Sequence, residues 1–241
     1  MTVPVVIKWF PPSWLQIKGE GLILYIDPAY LRTYFADYAQ RIEFSKWPDP
    51  IDGLPEELEP ADIILVTHHH KDHVKRPTVN RLRRPDTTIL APERCVKELG
   101  AVATGALVSP GKNFNLRGVG IRAVDAYNTA SGSSTRKTHH RGEGVGYVVT
   151  VGGKTIYHAG DTDYISEMRE LGPIDAAFLP IGGAFTMNLE EAIDAALTIR
   201  PKVVVPIHRF KADPGEFKRR LEANSDIQVA PLRIGEAVCL S

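Results

Sequence analysis

Apolar, β-branched residues arrive in short runs separated by polar and turn-forming residues, which is the pattern of buried strands. The runs VPVVIKW (3–9), LILYI (22–26) and DIILVT (62–67) predict three strands in the first third of the chain. TTILA (87–91), VGIRAV (119–124), GYVVTV (146–151), KTIYHA (154–159), DAAFLP (175–180) and KVVVPI (202–207) predict more. Gly153, in VGGK, marks a tight hairpin. After Asn188 the spacing turns helical: Glu190 and Glu191 fall in a first turn, and Leu189, Ala192, Ile193, Ala196 and Leu197 form an apolar face that stops before Pro201. Further helices are predicted near 77–84, 92–99, 163–171 and 214–223. Strand and helix alternate in the middle and at the end, whereas 106–158 reads as consecutive strands. A mixed α/β (α+β), layered architecture therefore fits better than an all-parallel sheet.

An internal echo runs through this pattern. A strand ends in an acid in LILYID (Asp27) and again in TIYHAGD (Asp161), and each is followed later by an acid opening an apolar run, ADIILV and IDAAFLP. No Pro-rich or low-complexity linker separates the two stretches. Residues 1–241 are expected to form one domain built from two similar halves.

Composition narrows the function classes. Among 241 residues, 29 Lys and Arg balance 29 Asp and Glu, so no overall field is available to hold nucleic acid or an acidic membrane surface. No apolar stretch reaches the roughly 18 residues that span a bilayer. The opening MTVPVVIKWFPP lacks the apolar core of a secretion signal, and a cytoplasmic protein is expected. Two cysteines, Cys95 and Cys239, are too few for a disulfide framework and lack the spacing of a zinc knuckle.

The chemistry is concentrated in ILVTHHHKDHV (64–74), where a buried-strand pattern runs directly into His68, His69, His70, Asp72 and His73. Burying several such polar groups together costs free energy unless something satisfies them, and a divalent cation does so. Strand-end loops suit such sites, because the strand fixes the backbone while the loop turns side chains inward. Asp161 follows the Gly160 turn after TIYHA, and His208 ends VVVPI, so each also sits at a strand terminus. By alternation His69 points away from its neighbours. His158 lies inside a strand as a core histidine. Asp27, before Pro28, either orients a ligating histidine through its second ring nitrogen or caps a turn.

THHHKDH, together with LYIDP (24–28), YHAGDTD (157–163), LPIGGAFTM (179–187) and VPIH (205–208), resembles the metallo-β-lactamase fold hydrolases. Within them the chain is similar to the branch that includes ascorbate 6-phosphate lactonase-like proteins and, more remotely, the phospholipase D acting on N-acyl ethanolamine lipids. The resemblance implies a four-layer αββα sandwich. It implies that His68 and His70 bind one metal, that Asp72 and His73 belong to a second, that Asp161 bridges both and that His208 completes the second. Two divalent ions follow as cofactors, zinc first, with manganese or iron also suited to a carboxylate-rich site. The implied reaction is hydrolysis of a lactone, ester or phosphodiester by a metal-bound hydroxide, with Asp72 as proton acceptor or donor. No G-x-S-x-G elbow supplies a serine nucleophile.

One position departs from the family pattern. Asn128 stands where a histidine normally gives the first metal its third ligand, and asparagine is a much weaker zinc ligand. The expectation is that His140, twelve residues on, folds back to supply the nitrogen, with His139 the next candidate. The loop from about 129 to 144 is long and polar, as lids and binding loops often are. Asn128, Arg136, Lys137 and Arg141 are the candidate substrate-binding residues, the three cations favouring a small anionic substrate. Phe185 and Met187 either wall the pocket or pack against the following helix, packing being preferred for Met187. The expected partner is a small-molecule substrate, with neither nucleic acid nor a membrane; homo-oligomerisation stays open. The alternative from another class is a metal-binding protein of the same fold with little or no catalysis, for which Asn128 is the hint. A redox enzyme is disfavoured because di-iron members tend to carry Glu at the place of His70.

Overall fold

The computed structural model describes residues 4–29, 58–100 and 105–241, so Val3 of the first predicted strand lies outside the described residues. The chain divides into two compact units. One comprises residues 1–107 with 232–239 and 241, the other residues 108–231 with 240.

The first unit is built on a sheet ordered β13-β1-β2-β3-β4-β5. Its strands are β1 (Val5–Phe10), β2 (Trp14–Gly19), β3 (Leu22–Ile26), β4 (Ala61–Leu65), β5 (Arg83–Leu90) and β13 (Ala237–Leu240). β1, β2 and β3 form an antiparallel meander; β3, β4 and β5 then run parallel. Every residue of β4 is buried, as expected for a central strand covered on both faces. Asp62 tolerates burial there because it accepts from Ile23 N–H at 2.8 Å and pairs with Arg84. Helices α1 (Arg76–Leu82) and α2 (Cys95–Leu99) contribute Val79, Leu82, Cys95 and Leu99 to a core with Phe10, Trp14, Tyr25 and Ile64. The final strand is tied in beside β1, since Trp9 N–H donates to Glu236 O and Gly235 N–H donates to Trp9 O, both at 3.0 Å.

The second unit holds a sheet ordered β12-β11-β10-β9-β8-β7-β6. These are β6 (Asn113–Leu116), β7 (Val119–Ala126), β8 (Gly144–Val151), β9 (Lys154–His158), β10 (Ala176–Pro180), β11 (Val203–Ile207) and β12 (Gln228–Val229). β6 to β9 pair antiparallel and β9 to β12 parallel, so the succession of meander then parallel strands seen in the first unit recurs. Helix α3 (Leu189–Ile199) is capped by Asn188, whose side chain accepts from Glu191 N–H at 2.9 Å. It buries Ala192, Ala195, Ala196 and Ile199 and ends at left-handed Arg200 before Pro201. Helix α4 (Pro214–Glu222) adds Phe217 and Leu221 to the same core, with Met187.

The molecule is thus a mixed α/β protein with two sheets and few helices. One expectation needs correction. The helix expected over 163–171 is only a short 3-10 turn, Ser166–Glu170, because Asp163 is drawn to Ser134 of the preceding loop and Tyr164 N–H to Glu191 of α3. The consecutive strands expected over 106–158 are present as β6 to β9, and the long loop expected over about 129–144 lies between β7 and β8. No helix of the described residues is long and apolar enough to cross a membrane.

Candidate metal centre

In the first unit, β4 delivers Thr67 and His68 at its end, and a turn closed by His73 N–H and Val74 N–H donating to His70 O (2.9 and 3.0 Å) folds His70, Asp72 and His73 back on themselves. His73 is fully buried and His68 nearly so, while His70 and Asp72 are half-buried. Beneath them lies Asp27, completely buried just beyond β3 in a left-handed conformation (φ 51°). Its carboxylate accepts from Thr67 N–H (2.7 Å) and Thr67 Oγ1 (2.6 Å), and stands 2.6 Å from His73 Nδ1. The carboxylate fixes the proton of His73 on Nδ1 and leaves Nε2 to act as a donor, the usual support of a metal-ligating imidazole. His68 Nδ1 lies 3.0 Å from Thr67 Oγ1, so its Nε2 is likewise the outward nitrogen, 3.1 Å from His70 Nδ1. Asp27 therefore orients a histidine, as one of its two sequence readings held. His69 is half-buried with its ring 4.7 Å from that of His70.

In the second unit, Asp161 follows β9 and His208 follows β11, the latter also left-handed (φ 44°). Gly182 must lack a side chain, because a Cβ there would lie 2.4 Å from His208 O. Asp161 Oδ2 stands 3.4 Å from His208 Nε2 and 3.4 Å from His139 Nε2, all three residues being buried. Two ligands each about 2.0–2.2 Å from a tetrahedral ion stand about 3.3–3.6 Å apart, the separation found here. It is too long for a strong hydrogen bond. The donors are imidazoles and carboxylates without cysteine, a set that fits zinc. Arg209, next to His208, donates from Nε to Pro206 O at 2.8 Å; burial lowers its pKa to about 10, so it is still a cation at neutral pH.

His140 requires correction: it is exposed, and the residue beside Asp161 is His139. The reason lies at Asn128, whose main chain and side chain both hydrogen-bond residue 139, so that one ring turns inward and the next outward. Asn128 is accordingly engaged with the protein. So are two of the three loop cations. Lys137 Nζ lies 2.7 Å from Gly132 O, 2.9 Å from Ser134 Oγ and 3.0 Å from Asp163 Oδ2. Arg141 pairs with Glu167 at 2.8 Å and covers the Tyr127 ring at 5.1 Å. Arg136 is exposed, its guanidinium 5.3 Å from the centre of the Phe185 ring.

Nor is the loop an open flap. Fully buried Asp163 accepts from Thr129 N–H (2.9 Å), Ser134 N–H (3.1 Å) and Ser134 Oγ (2.8 Å). Glu191 accepts from Ser133 N–H and Oγ, both at 2.7 Å. The sequence reading missed both acids; the second aspartate of GDTD was the available signal. Gly132 packs so closely that an added Cβ would lie 2.1 Å from Asp163 Oδ2. Gly132→Ala is expected to lower stability by about 1–3 kcal/mol, read as a fall in the denaturant midpoint with an unchanged slope.

Comparison with known proteins agrees with this donor chemistry. Residues 6–208 match the family described as a beta-lactamase superfamily domain. A UPF0173 metal-dependent hydrolase of Methanosarcina barkeri is 36% identical over 249 residues, covering 99% of this chain and 100% of its own. Among solved structures, a protein from Parabacteroides distasonis assigned to the metal-dependent hydrolases is 31% identical, with a TM-score of 0.76 over 94% of this chain and 91% of that one. Igni18, a metallo hydrolase from Ignicoccus hospitalis, is 27% identical, with a TM-score of 0.73 over 99% of both chains. With its buried imidazoles and carboxylates, two mixed sheets and full-length similarity, the chain belongs to the UPF0173 metal-dependent hydrolases of the metallo-β-lactamase superfamily.

Proposed function

We propose that the protein holds two divalent cations, zinc by preference, and uses them to hydrolyse a lactone, ester or phosphodiester bond in a small anionic substrate. The observation that carries the reading is Asp161 Oδ2 standing 3.4 Å from both His139 Nε2 and His208 Nε2, the spacing of ligands on a shared ion. In this reading the first unit offers His68, His70, Asp72 and His73 as ligands, and the second offers His139, His208 and the shared Asp161. When bound, the cations supply Lewis acidity and acidify a water, which is what hydrolysis without a protein nucleophile requires.

The chain's own residues do the rest. Asp27 and Thr67 keep His73 and His68 in the ring orientation that presents Nε2. Asp72, half-buried, takes up or delivers the proton exchanged during bond cleavage. Arg136 is the loop cation assigned to an anionic group of the substrate, since Lys137 and Arg141 are already held by carboxylates. The non-catalytic alternative loses its support, because Asn128 serves His139. The finer kinship with the ascorbate 6-phosphate lactonase-like proteins belongs to this same proposal and makes a lactone the first substrate to try.

The test is a panel of lactone, ester and phosphodiester substrates offered to protein stripped by a chelator and then reloaded with zinc, manganese or iron. Two ions per chain are expected, with turnover lost on stripping and restored on reloading. Hydrolysis that survives complete removal of metal, or failure to bind metal at all, would refute the proposal.

A further inference from the structure

Asn128, the residue that breaks the expected histidine pattern, is held so tightly that its amide cannot be turned the other way round. Its Oδ1 accepts from the main-chain N–H of His139 at 3.0 Å, and its Nδ2 donates to the carbonyl of Phe185 at 2.9 Å. The Asn128 N–H also donates to the carbonyl of His139 at 2.8 Å. Two backbone groups, one donor and one acceptor, thereby decide which side-chain atom is oxygen and which is nitrogen. His139 Nδ1 lies 3.2 Å from Asn128 Oδ1 and 3.1 Å from Phe185 O. Neither oxygen carries a hydrogen, so Nδ1 must be the donor. In the neutral ring the lone pair is then on Nε2, the nitrogen that faces Asp161.

We propose that Asn128 is a positioning residue which, with the Phe185 carbonyl, locks His139 in the Nδ1–H tautomer and so presents Nε2 as a ligand. What Nε2 meets rests on the proposed function; the tautomer belongs to the protein alone. An amide is needed because the site asks one side chain to accept from residue 139 and donate to residue 185 at once. A leucine of similar shape does neither, and an aspartate keeps only the acceptor. The arrangement parallels His73, with a neutral amide and a carbonyl in place of the Asp27 carboxylate.

Long-range proton–nitrogen correlation on ¹⁵N-labelled, metal-free protein reads the tautomer of His139 directly. The wild type is expected to show Nδ1–H. Asn128→Leu is expected to show a mixture of tautomers, and Asn128→Asp to keep Nδ1–H. Zinc titrated against a chromophoric chelator is expected to bind one site of Asn128→Leu about 10- to 100-fold more weakly, the other site being unchanged. An Nε2–H tautomer in the wild type would overturn the proposal, even should the leucine variant fail to fold. So would an Asn128→Leu protein that matches the wild type in tautomer and zinc affinity, an outcome that leaves the two-ion reading intact. A wild type that shows Nδ1–H but binds no zinc defeats the two-ion reading and the ligand role of His139 with it, while the lock itself stands.

Discussion

Asp161→Ala is expected to abolish hydrolysis and, on the proposed two-cation reading, to lower metal content from two ions to one or none. Asp161 Oδ2 is equidistant from two imidazole nitrogens, so its removal takes away the anion that both histidines face. Loss of an outer partner of a ligand typically costs about 10- to 100-fold in metal affinity, and loss of the shared ligand should exceed that. Elemental analysis of the purified variant, with calorimetric zinc titration, checks the claim. Retention of two tightly held ions would show that Asp161 does not bridge. Asp161→Asn separates charge from shape, since it keeps an oxygen but removes the negative charge; it is expected to bind zinc more weakly than wild type and more tightly than the alanine variant.

The second large effect is on the fold as well as the metal. Asp27→Ala removes a fully buried carboxylate that supports Thr67 through two hydrogen bonds and His73 through a third. Breaking such a buried pair by deleting one partner costs about 3–5 kcal/mol, because the groups left behind stay buried. Alanine also tolerates the left-handed backbone at this position less well than aspartate, whose short polar side chain is enriched there. Metal-free Asp27→Ala protein is therefore expected to unfold at markedly lower denaturant concentration, and loaded protein to hold zinc more weakly. Unfolding of the metal-free variant at the wild-type midpoint would contradict this account. The Asp161 and Asp27 variants should differ in kind: the first is expected to lose metal with the metal-free fold largely intact, the second to lose both.

How legible the molecule was depended on whether the relevant contacts are local. β3, β4, β9, β10 and β11 were readable because a strand buried on both faces writes itself as a run of β-branched and small apolar residues. The edge strands β6, β12 and β13 were not read, since short half-exposed edges carry little such signal. β2 was not read either: it runs from Trp14 to Gly19 through Gln16 and Lys18, polar residues that interrupt the apolar run although Gln16 is buried against the Tyr25 hydroxyl. His68, His70, Asp72 and His73 stand within one turn, and Asp161 and His208 end recognisable strands, so their candidacy needed no long-range information. His139 could not be told from His140, because the choice is made by Asn128 and Phe185, 11 and 46 residues away. The same holds for the loop cations. Nothing near Lys137 or Arg141 announces that Asp163 and Glu167, 26 residues off in each case, already hold them.

The placement of β13 bears on how the chain is made. The strand at the edge of the first sheet beside β1 comes from residues 237–240, and residues 108–231 of the second unit are synthesised before it. On the ribosome, residues 108–231 emerge with strands β6 to β12, while the first sheet must wait, one edge open beside Trp9, until residues 237–240 have followed. A nascent chain halted after residue 231 has left the ribosome, with residues 237–240 still inside it, should therefore carry a second unit already resistant to protease and a first unit still open to chaperones.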